Sequence, residues 1–232
     1  MNSYTRFEDL SSEIFFEIFD YLDALDIFRG FSSLNRRISS ILQIIPIRIV
    51  ISYNHRRYQI DYLSSHLTCH AHQVISVDIF DTIDDDSSII NLLFSQHQFI
   101  NLQSCTFISI HPSTQLENVI KQIKTFNRLV SFRILHPKNE KLNENAKKDL
   151  LQTIFMHKSL YLRSIELQLP YDCSYISKYR SIPSNLKSLH VHISGSTLHV
   201  SPFSIISIFR FCHSIQYLSI ILSWFLFNDN NK

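Results

Sequence analysis

The sequence predicts a mixed α/β fold, with a short three-helix module leading into a β-α array built on a curved parallel sheet. Three observations predict it. Apolar residues recur at three- and four-residue spacing between Ser11 and Leu42, the period of helices with one buried side. Six runs of the form apolar-x-x-apolar-x-apolar follow one another through the rest of the chain. The intervals between the first four runs carry helical spacing, so strand and helix alternate as parallel β-α units require. The module takes residues 1–46 and the array residues 47–232.

In the module, Ile14, Phe15, Ile18, Phe19 and Leu22 share one face of a first helix. Ser11 or Ser12 can cap it, and Glu13 sits at the positive end of its dipole. Asp23 and Asp26 mark a break and the start of a second short helix, whose apolar side is Ile27, Phe28 and Phe31 and which Gly30 loosens. A third helix runs from about Ser33, with Leu34, Ile38, Ile41 and Leu42 inward and Arg36 and Arg37 outward, until Pro46 stops it. Three helices of this length bury little surface. Phe15, Phe16, Phe19, Phe28 and Phe31 exceed what so small a core can hold, so the module must lean on the array or on a partner.

From Leu10 to Leu22 the chain resembles the F-box family. Leu10-Ser11-Ser12-Glu13-Ile14, then Ile18-Phe19 and Leu22, are similar to the family's opening pattern. Asp26-Ile27 is similar to its Asp-Leu pair, and Leu34-Asn35-Arg36-Arg37 to its closing basic run. The family's proline is Ser11 in this chain, and its late aromatic is Ile38. The resemblance implies a docking surface for a Skp-family linker and, through it, a cullin of a ubiquitin ligase. It implies linker-binding residues at Leu10, Ser11, Ile14, Phe15, Ile18, Phe19, Leu22, Ile27 and Phe28.

The six runs are Val74/Val77/Ile79, Leu102/Cys105/Phe107, Leu129/Phe132/Ile134, Leu162/Ile165/Leu167, Leu186/Leu189/Val191 and Ile215/Leu218/Ile220. Their first residues are 28, 27, 33, 24 and 29 apart. The intervals Ser87 to Phe99, Thr114 to Phe126 and Asn145 to Met156 read as helices, and Pro170 to Pro183 as a loop. The period is close to the leucine-rich-repeat range of about 20–29 residues, and the array resembles that family in pattern. The family's asparagine after the strand is missing, with Thr82 and Pro137 among the residues standing there. An ordinary α/β domain is the competing fold.

Strand alternation assigns the faces. Between the inward residues lies one column of Ser76, Ser104, Ser131, Ser164, Ser188 and Tyr217, beside a second of Asp78, Thr106, Arg133, Glu166, His190 and Ser219. Concave faces of such arrays commonly bind proteins. The expected recognition stripe for a protein substrate, its identity unknown, is Asp78, Arg133, Glu166 and His190.

Other functions find little support. The net charge is +2, so no basic surface points to nucleic acid. Two glycines leave no phosphate loop. His66, Cys69, His70 and His72 are zinc-ligand types without a completing second pair, and read as a histidine-rich surface loop. Asp81, Asp84, Asp85 and Asp86 read as helix caps rather than a cation site. Cys69, Cys105, Cys173 and Cys212 lie far apart, as reduced thiols of a cytoplasmic or nuclear protein would. The apolar stretch Phe203 to Phe227 is interrupted by Arg210, His213 and Gln216, against a membrane span. No catalytic residue, metal or cofactor is expected. The function implied is a substrate-recruiting ubiquitin-ligase adaptor, the alternative being an interaction scaffold whose helical module only caps the array.

Overall fold

The computed structural model describes residues 7–81, 88–110, 116–135, 144–157, 159–171, 186–195 and 214–224. After a 3-10 turn at Phe7–Asp9 come helices α1 (Ser12–Asp20), α2 (Ala24–Phe31) and α3 (Arg36–Leu42). Then strand and helix alternate: β1 (Ile47–Ile51), α4 (Arg57–His70), β2 (Val74–Phe80), α5 (Ile89–Gln96), β3 (Ser104–Ile108), α6 (Leu116–Ile123), β4 (Ser131–Leu135), α7 (Glu144–Phe155) and β5 (Ser164–Tyr171). Strands β6 (Ser188–Gly195) and β7 (Tyr217–Trp224) complete a seven-stranded sheet in sequential order, every pairing parallel. The fold is thus mixed α/β. No helix among the described residues is long and apolar enough to cross a membrane.

The caps explain the helix starts. Asp23 accepts from the Asp26 N–H at 3.0 Å and Asn35 from the Ile38 N–H at 2.9 Å. The third helix therefore begins at Arg36, and Leu34, expected inward, lies outside it at 46% exposure. The Asp81 carboxylate takes the Ile89 N–H at 3.0 Å and the Ser88 hydroxyl, while Ser88 takes the Asn91 N–H, so the acidic residue does cap α5. Asp84 to Asp86 lie outside the described residues.

The sheet begins one unit earlier than the six runs predict. In β1, Ile47, Ile49 and Ile51 alternate with exposed Arg48 and Val50. The histidine-rich segment is not a surface loop: His66, Cys69 and His70 lie on α4 and His72 in the 3-10 turn Ala71–Gln73. Helical pairing decides this, because Ile60, Leu63 and Leu67 form a buried stripe. Pro170 and Tyr171, expected in a loop, belong to β5. Its register shifts between Leu167 and Tyr171, where Pro170 has no N–H to give the ladder. Residues 172–185 lie outside the described residues, as do 203–213 and 225–227 of the apolar tail.

One face of the sheet is covered by helices. Val77, Ile79, Cys105, Phe107, Phe132, Ile134, Ile165, Leu167, Leu189 and Val191 are buried in one cluster with the inner residues of α4 to α7. That cluster continues into Phe15, Phe19, Ile27 and Phe28, so no gap in the core separates the N-terminal helices from the sheet. α2 packs on β1, and the Tyr62 hydroxyl donates to Phe28 O at 3.1 Å.

Successive units are tied in the same manner. The carbonyl before a strand accepts two N–H groups of the next unit: Gln103 O from Val130 and Ser131, Val130 O from Arg163 and Ser164, Arg163 O from Lys187 and Ser188, Lys187 O from Gln216 and Tyr217. Side chains close the turns behind them. Gln73 donates to Leu42 O and Ile45 O, both at 2.9 Å, Gln122 to Phe94 O and His97 O, and Ser159 to Asn127 O and Leu129 O. Buried carbonyls that helices and strands leave over are thereby satisfied.

Candidate protein-binding surfaces

The first surface is on the N-terminal helices. Phe7, Phe15, Phe19 and Phe31 form a ring cluster, edge to face at Phe7–Phe15 (centroids 5.1 Å apart) and Phe19–Phe31 (5.0 Å) and tilted at Phe15–Phe19 and Phe7–Phe31. Arg37 locks α3 to the start of α1. Its guanidinium donates to Leu10 O at 2.6 Å and to Ser12 Oγ at 3.4 Å, and lies 5.8 Å from the Phe15 ring centre. The Ser11 hydroxyl, with the Glu13 backbone N–H and the Arg37 charge adding to it, holds the Glu13 carboxyl below the usual range.

The nine residues that the sequence offers to a linker divide by burial. Ser11 and Ile14 are exposed, Ile14 at 41%. Leu10, Ile18 and Leu22 are half-buried against the core. Phe15, Phe19, Ile27 and Phe28 are buried. Those four are core residues of the chain itself and have no surface to give a partner, because the module packs on the sheet and needs them there. The structure also exposes Phe16 at 38%, about 200° around α1 from Ile14, and Phe7 and Leu34. The surplus of aromatics over a small core was the sequence signal for Phe16.

The second surface is the sheet face opposite the helices. The register aligns Ser76, Ser104, Ser131, Ser164, Ser188 and Tyr217 in one row and Asp78, Thr106, Arg133, Glu166, His190 and Ser219 in the next, with Arg48 and Val50 of β1 extending them. Ser131 and Arg133 are half-exposed on this face, while Phe132 and Ile134 are fully buried on the other. Beyond these rows, Phe80, Ile108 and Leu135 align as an apolar row, all half-buried, and Tyr53 sets its ring 6.3 Å from Phe80.

Among the four expected recognition residues, Arg133 and Glu166 pair, Nε to Oε2 at 2.9 Å. His190, opposite Glu166 in the register, has its Nε2 buried with no hydrogen-bond partner among the described residues. Asp78 is half-buried next to β3; burial first, and then its charge, push the Cys105 thiol well up. A thiol so held stays protonated and unreactive.

The histidine-rich cluster makes contacts within the fold. The His66 ring stacks on Phe28 with centroids 4.9 Å apart, and His70 Nδ1 meets Gln73 Oε1 at 2.6 Å. No group of three or more metal-ligand side chains occurs among the described residues. Buried Ser64 and His97 lie 2.8 Å apart and join α4 to the end of α5. Burial lowers the pKa of His97, and also of His157, whose Nε2 donates to Ile123 O.

No protein-family model matches this chain, and no curated protein matches it in sequence.

Proposed function

We propose that the chain is an F-box-like adaptor of a Skp-cullin ubiquitin ligase. Its N-terminal helices dock a Skp-family linker, and the open sheet face of a leucine-rich-repeat-like array holds a protein substrate. The observation that carries the reading is the division of α1 into two sides. Phe15 and Phe19 anchor it to the core, while exposed Ile14 and half-buried Ile18, one turn apart, leave an apolar strip along the edge of that face, continued by half-buried Leu22. A partly exposed apolar strip with Glu13 and Glu17 on its solvent side is what a docking helix presents. The adaptor's work is positioning, with the chemistry left to other subunits. Mixing the purified chain with a Skp-family linker and measuring the complex by calorimetry tests it; no complex at about 100 μM, a concentration that detects even weak docking, overturns it.

A second reading is favoured by the continuous core. Because α1 to α3 share one hydrophobic cluster with the sheet, the helices also serve as a cap on the array. As a scaffold without a linker, the chain would keep the sheet-face partner and lose the ligase. Linker binding separates the two.

A further inference from the structure

Helices α6 and α7 leave between them a cavity of about 520 Å³. That lies within the range of small-molecule sites, about 300–1,000 Å³. Buried Ile120 and half-exposed Met156 give it an apolar wall. His157 also lines it, but both its ring nitrogens are committed, Nε2 to Ile123 O and Nδ1 to the Ser159 N–H.

Thr153 is different. It lines the cavity at 8% exposure, and its hydroxyl has no hydrogen-bond partner among the described residues. A threonine inside a helix ordinarily bonds the carbonyl four residues back, as Thr68 does to Ser64 O at 3.5 Å. The Thr153 hydroxyl oxygen keeps contact with solvent at the mouth, so it is free to donate to a guest. The mouth carries one charge of each sign, Lys124 at the end of α6 and Asp149 on α7. Neither forms an ion pair among the described residues. A simple anion would leave Asp149 facing it, and a simple cation would leave Lys124 facing it.

We propose that this cavity binds a zwitterion of dipeptide size. Its carboxylate meets Lys124, its ammonium meets Asp149, its side chains cover Ile120 and Met156, and its amide carbonyl accepts from the Thr153 hydroxyl. Each contact satisfies a group that the fold leaves open.

The test is a methyl NMR titration of the full chain with L-leucyl-L-leucine. Saturable shifts are expected at the Ile120 and Met156 methyls, with a dissociation constant on the order of 1 mM, since few contacts at an open mouth offset the ordering cost. The doubly capped dipeptide, N-acetyl-leucyl-leucinamide, should bind about tenfold more weakly through loss of both charge-assisted contacts. Lys124→Met and Asp149→Asn, both at exposed positions, should each weaken binding severalfold. Thr153→Val removes only the hydroxyl, so it should weaken binding while leaving the thermal midpoint equal or higher. Absence of saturable shifts up to about 20 mM, where even a weak site fills, overturns the proposal. Equal binding of free and capped dipeptide, or binding indifferent to Thr153→Val, overturns it as well.

Discussion

Arg133 Nε lies 2.9 Å from Glu166 Oε2, straight across the β4–β5 register, and Gln168 Nε2 holds the other carboxylate oxygen at 3.1 Å. Two side chains that read in sequence as separate contacts for a partner are first contacts for each other. Breaking a pair as open as this one costs about 1 kcal/mol or less. A double-mutant cycle with Arg133→Ala and Glu166→Ala, followed by urea unfolding, should give a coupling of about 0.5 kcal/mol. Under the proposed function each single change weakens substrate capture and the double change adds little more. An unchanged set of captured proteins for the double variant means that this face is not the binding surface.

Ile14→Asp should remove linker binding while the array stays folded, because Ile14 is 41% exposed and its neighbours Phe15 and Phe19 hold the helix. The thermal midpoint should move little, as surface changes are worth about 0.5 kcal/mol. Undiminished linker binding would sink the F-box reading. Ser11→Pro is the converse change. It falls at the N-cap, next to the first-turn position that favours proline, and should leave linker binding unchanged or stronger.

Gly30→Ala should stabilise the N-terminal helices. A methyl group there meets nothing within 4 Å, and the residue sits inside α2 with helical backbone. The gain expected is about 0.5–1 kcal/mol, read from the urea midpoint. A loss of stability would show that α2 needs the backbone freedom of Gly30.

Phe132→Ala should cost about 3–5 kcal/mol, the usual range for a fully buried phenylalanine. Phe132 is 0% exposed and meets Phe107 edge to face at 5.9 Å. Ser131→Ala beside it, on the open face, should be nearly neutral. If denaturant unfolding ranked the two changes equally, the assignment of faces would be wrong.

Stability should fall in mild acid because of His97 and His157. Burial lowers both pKa values from the ordinary value of 6.5. As pH drops, the unfolded chain takes up these protons before the folded one does, so stability is full above about pH 6.5. It declines below that value and levels off once pH passes the lowered folded values. The geometry agrees: His157 Nδ1 accepts the Ser159 N–H at 3.1 Å and has no room for a proton. Urea midpoints from about pH 8 to about pH 5, the window in which histidine titrates, should show this slope in the parent chain and a shallower one in His157→Gln. A slope unchanged by that substitution would remove His157 from the account.

Much of this was legible in the sequence, for a local reason. Strand alternation and helical spacing depend on neighbouring residues, so the rows headed by Ser76 and Asp78, and the helices around Leu93, Val119 and Leu150, follow from period alone. Even β1 and α4 carried their signals, Ile47/Ile49/Ile51 and Ile60/Leu63/Leu67, although the six runs began after them. Tertiary packing alone decided the rest. On α1, Ile14, Phe15 and Phe16 are equally apolar, and only the placement of the sheet behind α2 buries Phe15 and leaves Ile14 and Phe16 outside. Arg133 and Glu166 are 33 residues apart and meet because parallel pairing brings β4 beside β5. The hydroxyl of Thr153 and the charges of Lys124 and Asp149, without partners among the described residues, were hidden for the same reason. Whether a polar group finds a partner depends on elements distant in the chain, which no local period records.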